Sequence, residues 1–264
     1  MDTIEAIILG IVQGLTEFLP VSSSGHLQIA KALMGVEIEQ NLLFDVTLHA
    51  ATVLSTIVVL WSEVARLLRG LFSRRFNEEQ AYVLKLLLSM IPIGIVGFTL
   101  KDRLDALLES PAILLVEGCM LLVAAALLAF AYYAKPRQKA QLSYRDAFLI
   151  GVAQAVAALP GLSRSGSTIA TGLLLGNRKQ TVAQFSFLMV LAPILGETFL
   201  ELMKGNLGAQ AIGSAPLAAG FVAAFVVGCL ACKFMIEIVK RGKLVWFALY
   251  CAAAGTVSIL SYVL

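Results

Sequence analysis

Six apolar runs of about twenty residues recur along the chain, near Phe44–Trp61, Val83–Leu100, Ala112–Ala134, Ala183–Met203, Pro216–Val239 and Leu244–Val263. Coiled as helices, runs of that length cover the hydrocarbon core of a bilayer, about 30 Å. Backbone polar groups inside lipid must find partners within the chain, so such runs are held to helices. Composition agrees: 59% of residues are hydrophobic and 14% charged, with mean hydropathy +0.88, whereas soluble domains carry roughly 25% charged residues. The chain therefore reads as an all-α integral membrane protein, a single membrane domain over residues 1–264, because no polar stretch could form a separate soluble unit. Neither a basic region nor a small-residue cleavage site follows Met1, so the first apolar segment is expected to be retained. Cys119, Cys229, Cys232 and Cys251 all fall inside apolar runs and read as packing residues.

Charge placement orients the six transmembrane helices. Arg66, Arg69, Arg74 and Arg75 crowd one connection, and Lys135, Arg137, Lys139 and Arg145 another. Arg178 and Lys179 precede the fourth run, and Lys240, Arg241 and Lys243 follow the fifth. The connections between these are poor in basic residues, and the positive-inside rule assigns the rich ones to the cytoplasm. No basic patch suited to nucleic acid appears. Two apolar regions remain, Asp2–Met34 and Asp146–Gly176. The second starts and ends beside cytoplasmic charge, so it cannot cross an odd number of times; the first parallels it. Leu19-Pro20 and Leu159-Pro160-Gly161 interrupt them, since proline removes a backbone donor. The resulting pieces are about 15 to 21 Å long as helices. Two re-entrant helical hairpins fit better than full crossings, with tips buried in protein or lining a wet cavity.

The two broken regions also align with each other. GIVQGLTEFLPVSSSGH (Gly10–His26) and GVAQAVAALPGLSRSGS (Gly151–Ser167) match without a gap, pairing Gly10 with Gly151, Gln13 with Gln154, Ser22 with Ser163, Ser24 with Ser165 and Gly25 with Gly166. Three runs follow each. A unit with three crossings is odd, so the second copy lies upside down, which makes an inverted-topology repeat with repeat 1 at about 1–134 and repeat 2 at about 146–264. The two hairpins then meet near the midplane.

Half-helix N-termini present free N–H groups and partial positive charge, which makes them anion sites. Ser22, Ser23, Ser24 and His26 follow the first break; Ser163, Arg164, Ser165, Ser167 and Thr168 follow the second. Gln13 and Glu17 share a face of the preceding helix. The planar fork of Arg164 suits phosphate oxygens, and an arginine at membrane depth reads as functional. Plainer roles exist: serines behind a proline cap helices, His26 alone could be a packing residue, and Glu17 could form a structural ion pair with Arg164. The coincidence of all these groups at both breaks favours a phosphate site. Among scattered polar residues, Asp45 and Glu201 are expected to reach the interface, while Glu117 and Glu197 lie deeper, pairing across the repeat axis or lining the cavity; His49 is less persuasive.

Gln13-x-x-x-Glu17 followed by PVSSSGH, together with PGLSRSGST from Pro160 to Thr168, closely resembles the undecaprenyl-diphosphate phosphatases of bacterial inner membranes. The resemblance covers essentially the whole chain. It implies a hydrolase that converts the polyprenyl diphosphate to its monophosphate and inorganic phosphate, recycling the lipid carrier for peptidoglycan synthesis and conferring bacitracin resistance when abundant. It further implies an active site open to the periplasm and dependence on a divalent cation, Mg²⁺ or Ca²⁺, with Glu17 as a ligand. A homodimer is among the arrangements it permits. By the same resemblance Glu17, Ser23, His26 and Arg164 are catalytic, while Gln13, Ser163, Ser165 and Thr168 bind the substrate's phosphates; Ser22 and Ser24, at the first half-helix start, are read as further phosphate contacts. Gln13 stands where either Glu or Gln is found and cannot act as a carboxylate. Either Ser23, activated by Glu17 or His26, or His26 itself would attack phosphorus, with Ser23 preferred and direct attack by water left open. A membrane transporter or flippase for a lipid phosphate is the rival, because broken helices in inverted repeats also build transporters. The other lipid-phosphatase superfamily is disfavoured: it expects a histidine and then an aspartate soon after its second arginine, and Ser165–Gly176 contains neither.

Overall fold

The computed structural model describes residues 1–36, 42–108, 110, 112–133, 139, 141–196 and 212–263. Among these the secondary structure is helical, apart from one isolated bridge between Lys139 and Asn177. The helices are α1 (Thr3–Thr16), α2 (Ser23–Met34), α3 (Leu42–Val59), α4 (Trp61–Leu71), α5 (Glu78–Thr99), α6 (Lys101–Leu108), α7 (Ile113–Tyr133), α8 (Tyr144–Val156), α9 (Arg164–Leu174), α10 (Lys179–Met189), α11 (Ser214–Arg241) and α12 (Val245–Val263). Four of them, α5, α7, α11 and α12, are long and apolar enough to cross a membrane, and the bent pair α3–α4 makes a fifth. Their outer faces carry bare hydrophobic side chains, such as Ile95, Leu230 and Val257, each more than half exposed. A fold that leaves whole helix faces of this kind uncovered requires lipid around it. The protein is a multi-pass membrane protein.

Three features differ from the linear reading. The run ending at Trp61 does not stop there: the chain turns by 80° at Leu60 and continues as α4, because the apolar sequence gives way to Ser62, Glu63 and Arg66. The run from Ala183 to Met203 is not one smooth helix. Helix α10 ends at Met189, and a second helical stretch begins at 191. Pro193 accounts for this, since its ring clashes with the carbonyl four residues back, that of Met189. A short helix, α6, also occupies the connection between the second and third runs, to which the linear reading assigned no element. The remainder of the fourth run, including Glu197 and Glu201, lies outside the described residues.

The short helices are placed by close backbone approach. Gly10 and Gly14 of α1 lie on Gly220, Ala224 and Gly228 of α11; a β-carbon built on Gly10 would fall 2.4 Å from the Gly220 carbonyl oxygen. Small residues four apart on both partners let two helices touch backbone to backbone, the usual basis of helix packing in lipid. Helix α8 meets α5 in the same way, with a β-carbon on Gly151 only 2.3 Å from the Ser89 carbonyl oxygen. Helices α7 and α12 cross at Gly118 and Gly255, each seated on the other's carbonyl. Lys139 ties the two ends of the α8–α9 segment together: its N–H donates to the Gly176 carbonyl at 3.0 Å, and its ammonium pairs with Asp146 at 2.9 Å. Met1 and Met34 pack on a single cluster around Leu9, Phe44 and Leu48, at the two ends of the α1–α2 segment.

Candidate active site

The breaks between α1 and α2 and between α8 and α9 are built alike. Ser22 and Ser163 both hold positive φ, +70° and +51°, a conformation that costs a non-glycine residue about 1–2 kcal/mol and persists where surrounding contacts impose it. In each break that serine's hydroxyl lies 3.4 Å from the hydroxyl two residues on, Ser24 or Ser165. Ser163 also caps α9, accepting from the Gly166 N–H at 3.3 Å. The two tips touch. The Ser165 hydroxyl donates to the Leu19 carbonyl at 3.3 Å, the Cys251 thiol donates to the Pro20 carbonyl at 3.1 Å, and Gly166 leaves room for Pro20.

At this junction Glu17 is the hub. One of its oxygens accepts from the Ser23 hydroxyl at 2.9 Å and from the Gln13 amide at 3.0 Å. Glu17, Arg164 and Ser165 line one narrow cavity of about 10 Å³ with Thr52, Thr56 and Ser186, space for about one water. Arg164 has no ion pair or side-chain hydrogen bond among the described residues, so the plainer alternative of a structural pair with Glu17 is not formed and its guanidinium is free to meet a ligand. The buried Gln13 Oε1 and Ser186 Oγ also lack partners. Unpaired buried polar atoms are expensive; Ser186 shares the cavity with the free arginine and Gln13 is bonded to Glu17 on its wall, which marks a site built to receive polar groups.

His26 belongs to the same tip but is engaged elsewhere. Its Nδ1 donates to the Ser22 carbonyl at 2.8 Å, which leaves Nε2 to accept from the Tyr250 hydroxyl; the two rings stack with centroids 5.7 Å apart. Tyr250 is 224 residues away in sequence, and nothing in the linear pattern marked it. Thr168 turns its hydroxyl back onto the Arg164 and Ser165 carbonyls, at 3.0 and 3.2 Å. Glu117 is buried, as its depth in the run implied, and its Oε1 has no hydrogen-bond partner among the described residues, while Gly25 and Gly161 from the two tips pack against it. Asp45, expected at the interface, lies in the first turn of α3 and binds Lys31 at 2.7 Å. Lys31 is almost fully buried and was missed because one lysine in an apolar stretch looks like a helix-end residue. Among the described residues no group of three or more His, Cys, Asp or Glu side chains could hold a metal ion by itself.

Comparison with known proteins follows the same outline. The family model of the bacitracin resistance protein BacA matches residues 6–257. A Parabacteroides distasonis protein named undecaprenyl-diphosphatase is 62% identical over 262 residues, 98% of each chain. A Bacteroides fragilis protein of the same name is 60% identical over the same share, and one from Bacteroides thetaiotaomicron 58% identical over 99% of each. A match that begins in the first short helix, takes in both tips and ends in the last span leaves one assignment: the chain belongs to the bacitracin resistance protein BacA family.

Proposed function

We propose that this protein hydrolyses undecaprenyl diphosphate to undecaprenyl phosphate and inorganic phosphate, the activity for which its relatives are named. One observation carries the reading: the Glu17 carboxylate accepts the Ser23 hydroxyl at 2.9 Å on the wall of a cavity shared with the unpaired guanidinium of Arg164. That is a nucleophile with its base beside a cation suited to phosphate. Ser23 Oγ attacks the terminal phosphorus and passes its proton to Glu17, which hands it on to the departing bridging oxygen as that bond breaks, releasing the polyprenyl monophosphate and restoring the carboxylate. Water then adds to the phosphoseryl group, its proton passes through Glu17 back to Ser23 Oγ, and inorganic phosphate leaves. Arg164, Ser163, Ser165 and the free N–H groups of both helix starts stabilise charge on the transferred phosphoryl group, from which most of the rate gain in phosphoryl transfer comes. Gln13 orients Glu17, and Ser22, Ser24 and Thr168 complete the polar surround.

A divalent cation fits this donor set. Glu17 and the unpartnered Gln13 Oε1 are hard oxygen ligands from one helix face, and Mg²⁺ in phosphate sites is held through one or two carboxylates with the remaining oxygens from substrate. Bound there, Mg²⁺ or Ca²⁺ neutralises charge on the diphosphate.

The architecture behind this reading is six spans and two re-entrant hairpins in an inverted repeat, set in the bacterial inner membrane with the site open to the periplasm. Its support is the recurrence of paired features: Gly10 and Gly151 seated on α11 and α5, Ser22 and Ser163 at positive φ, and the reciprocal crossing of Gly118 and Gly255. The bond from Lys139 to Gly176 returns the second hairpin to its own starting level.

Purified protein in detergent should release phosphate from a long-chain prenyl diphosphate. A transporter or flippase would act only across a sealed membrane, and absence of phosphate release in detergent would defeat the proposal. Trapping the phosphorylated enzyme should find phosphate on Ser23. With Tyr250→Phe, which removes only the hydroxyl on His26 Nε2, kcat should fall about tenfold with KM nearly unchanged. A faster rate would instead identify Nε2 as the attacking atom.

A further inference from the structure

Helix α4 and the turn after it form a second polar site, lined by none of the residues that line the first. The helix leaves α3 at 80°, so it lies across the direction of the spans. Its inner face is anchored by the buried Leu67. The outer face mixes exposed Trp61, Leu68 and Leu71, continuing into the more exposed Phe72 and Phe76, with Arg69, Arg74 and Arg75. Arginine and bulky apolar groups interleaved on one amphipathic helix belong at the boundary between headgroups and acyl chains.

The site is preorganised. Trp61, Ser62, Arg66, Arg69, Gly70 and Glu79 line a recess of about 570 Å³. The Asn77 amide donates to the Gly70 carbonyl at 2.9 Å, and Gln80 donates to the Leu71 and Ser73 carbonyls at 3.1 and 3.0 Å. The turn is thus fixed before any ligand arrives. Charge is sorted as well. Arg66 is consumed by Glu63 at 3.0 Å and Glu79 at 2.8 Å, whereas Arg69, beside the Ser62 hydroxyl and the Trp61 indole, has no ion pair or side-chain hydrogen bond among the described residues. Arg74 and Arg75 are likewise without ion pairs there.

We infer that this recess binds the headgroup of an anionic phospholipid such as phosphatidylglycerol. Arg69 and Ser62 take the phosphate, Trp61 sits at headgroup level, and the acyl chains lie along Leu68, Leu71 and Phe72. Free phosphate has no use for that bare apolar surface, which is why a lipid is the occupant.

Native mass spectrometry of the purified full chain, with dioleoyl phosphatidylglycerol or dioleoyl phosphatidylcholine added in detergent, tests this. Phosphatidylglycerol should be retained preferentially, and added salt should weaken its retention. Arg69→Gln should weaken it about fivefold, and Arg69→Gln with Arg74→Gln and Arg75→Gln should bring it to the phosphatidylcholine level. Arg69 breaks no pair when replaced, and a thermal melt of each variant checks that it is folded. Equal retention of the two lipids, a triple variant that binds like wild type, or displacement of the lipid by millimolar inorganic phosphate would overturn the inference.

Discussion

Glu17→Ala should release phosphate from a long-chain prenyl diphosphate at least about 10²-fold more slowly than wild type, and Arg164→Ala should lose as much. The two losses arise differently. Glu17 holds Ser23 and Gln13 through one oxygen, so alanine removes the base and leaves both donors unpartnered. Glu17→Gln keeps the shape and an acceptor but cannot take a proton. Its rate should stay near that of the alanine variant if proton transfer is what Glu17 supplies, and recover substantially if it only positions Ser23. Arg164 has nothing to stabilise in the resting protein, being unpaired; its removal should leave the melting temperature nearly unchanged while activity collapses. Arg164→Lys keeps the charge without the two-pronged geometry and should recover only part of the rate. Wild-type turnover by either alanine variant would remove these residues from the chemistry.

Gly161→Ala should damage both stability and activity. Gly161 sits at φ +93°, where a side chain is strained by about 1–2 kcal/mol. A β-carbon there would also fall 2.6 Å from the Glu117 carbonyl oxygen and 2.7 Å from its α-carbon, and relieving such overpacking costs about 1–3 kcal/mol more. Because the obstacle is backbone of α7, the second tip must move, carrying Arg164 three residues on. Displacing a catalytic group by about 1 Å costs on the order of 10²-fold in rate. A lowered melting temperature together with slower phosphate release is therefore expected. Gly94→Ala is the control: nothing lies within 4 Å of its added carbon, and both measurements should stay near wild type. An unperturbed Gly161→Ala would mean that the tip does not depend on α7 for its position.

Much of this was legible along the chain because lipid imposes rules that act locally. The apolar runs became α3, α5, α7, α11 and α12 within a few residues, and the interruptions at Pro20 and Pro160 fell between paired short helices. The aligned pairs Gly10 with Gly151 and Ser22 with Ser163 turned out to share structural features, close helix contacts and positive φ, that the alignment itself did not specify. What escaped depended on a distant partner or on chain direction. The turn at Leu60 lacks proline or glycine to announce it. Lys31 is tolerated at depth only because Asp45 meets it from α3, and Tyr250 means nothing until α12 is laid beside α2.

By itself the sequence determined that the chain is helical, embedded in a membrane and broken at two related polar tips, since backbone hydrogen bonding in lipid and proline chemistry leave little choice. Tertiary structure alone decided how those polar groups are shared out: Glu17 holds Ser23, Tyr250 holds His26, and Arg164 stays free. A hydroxyl, a carboxylate and a guanidinium each have several acceptable partners, and only packing in three dimensions selects among them.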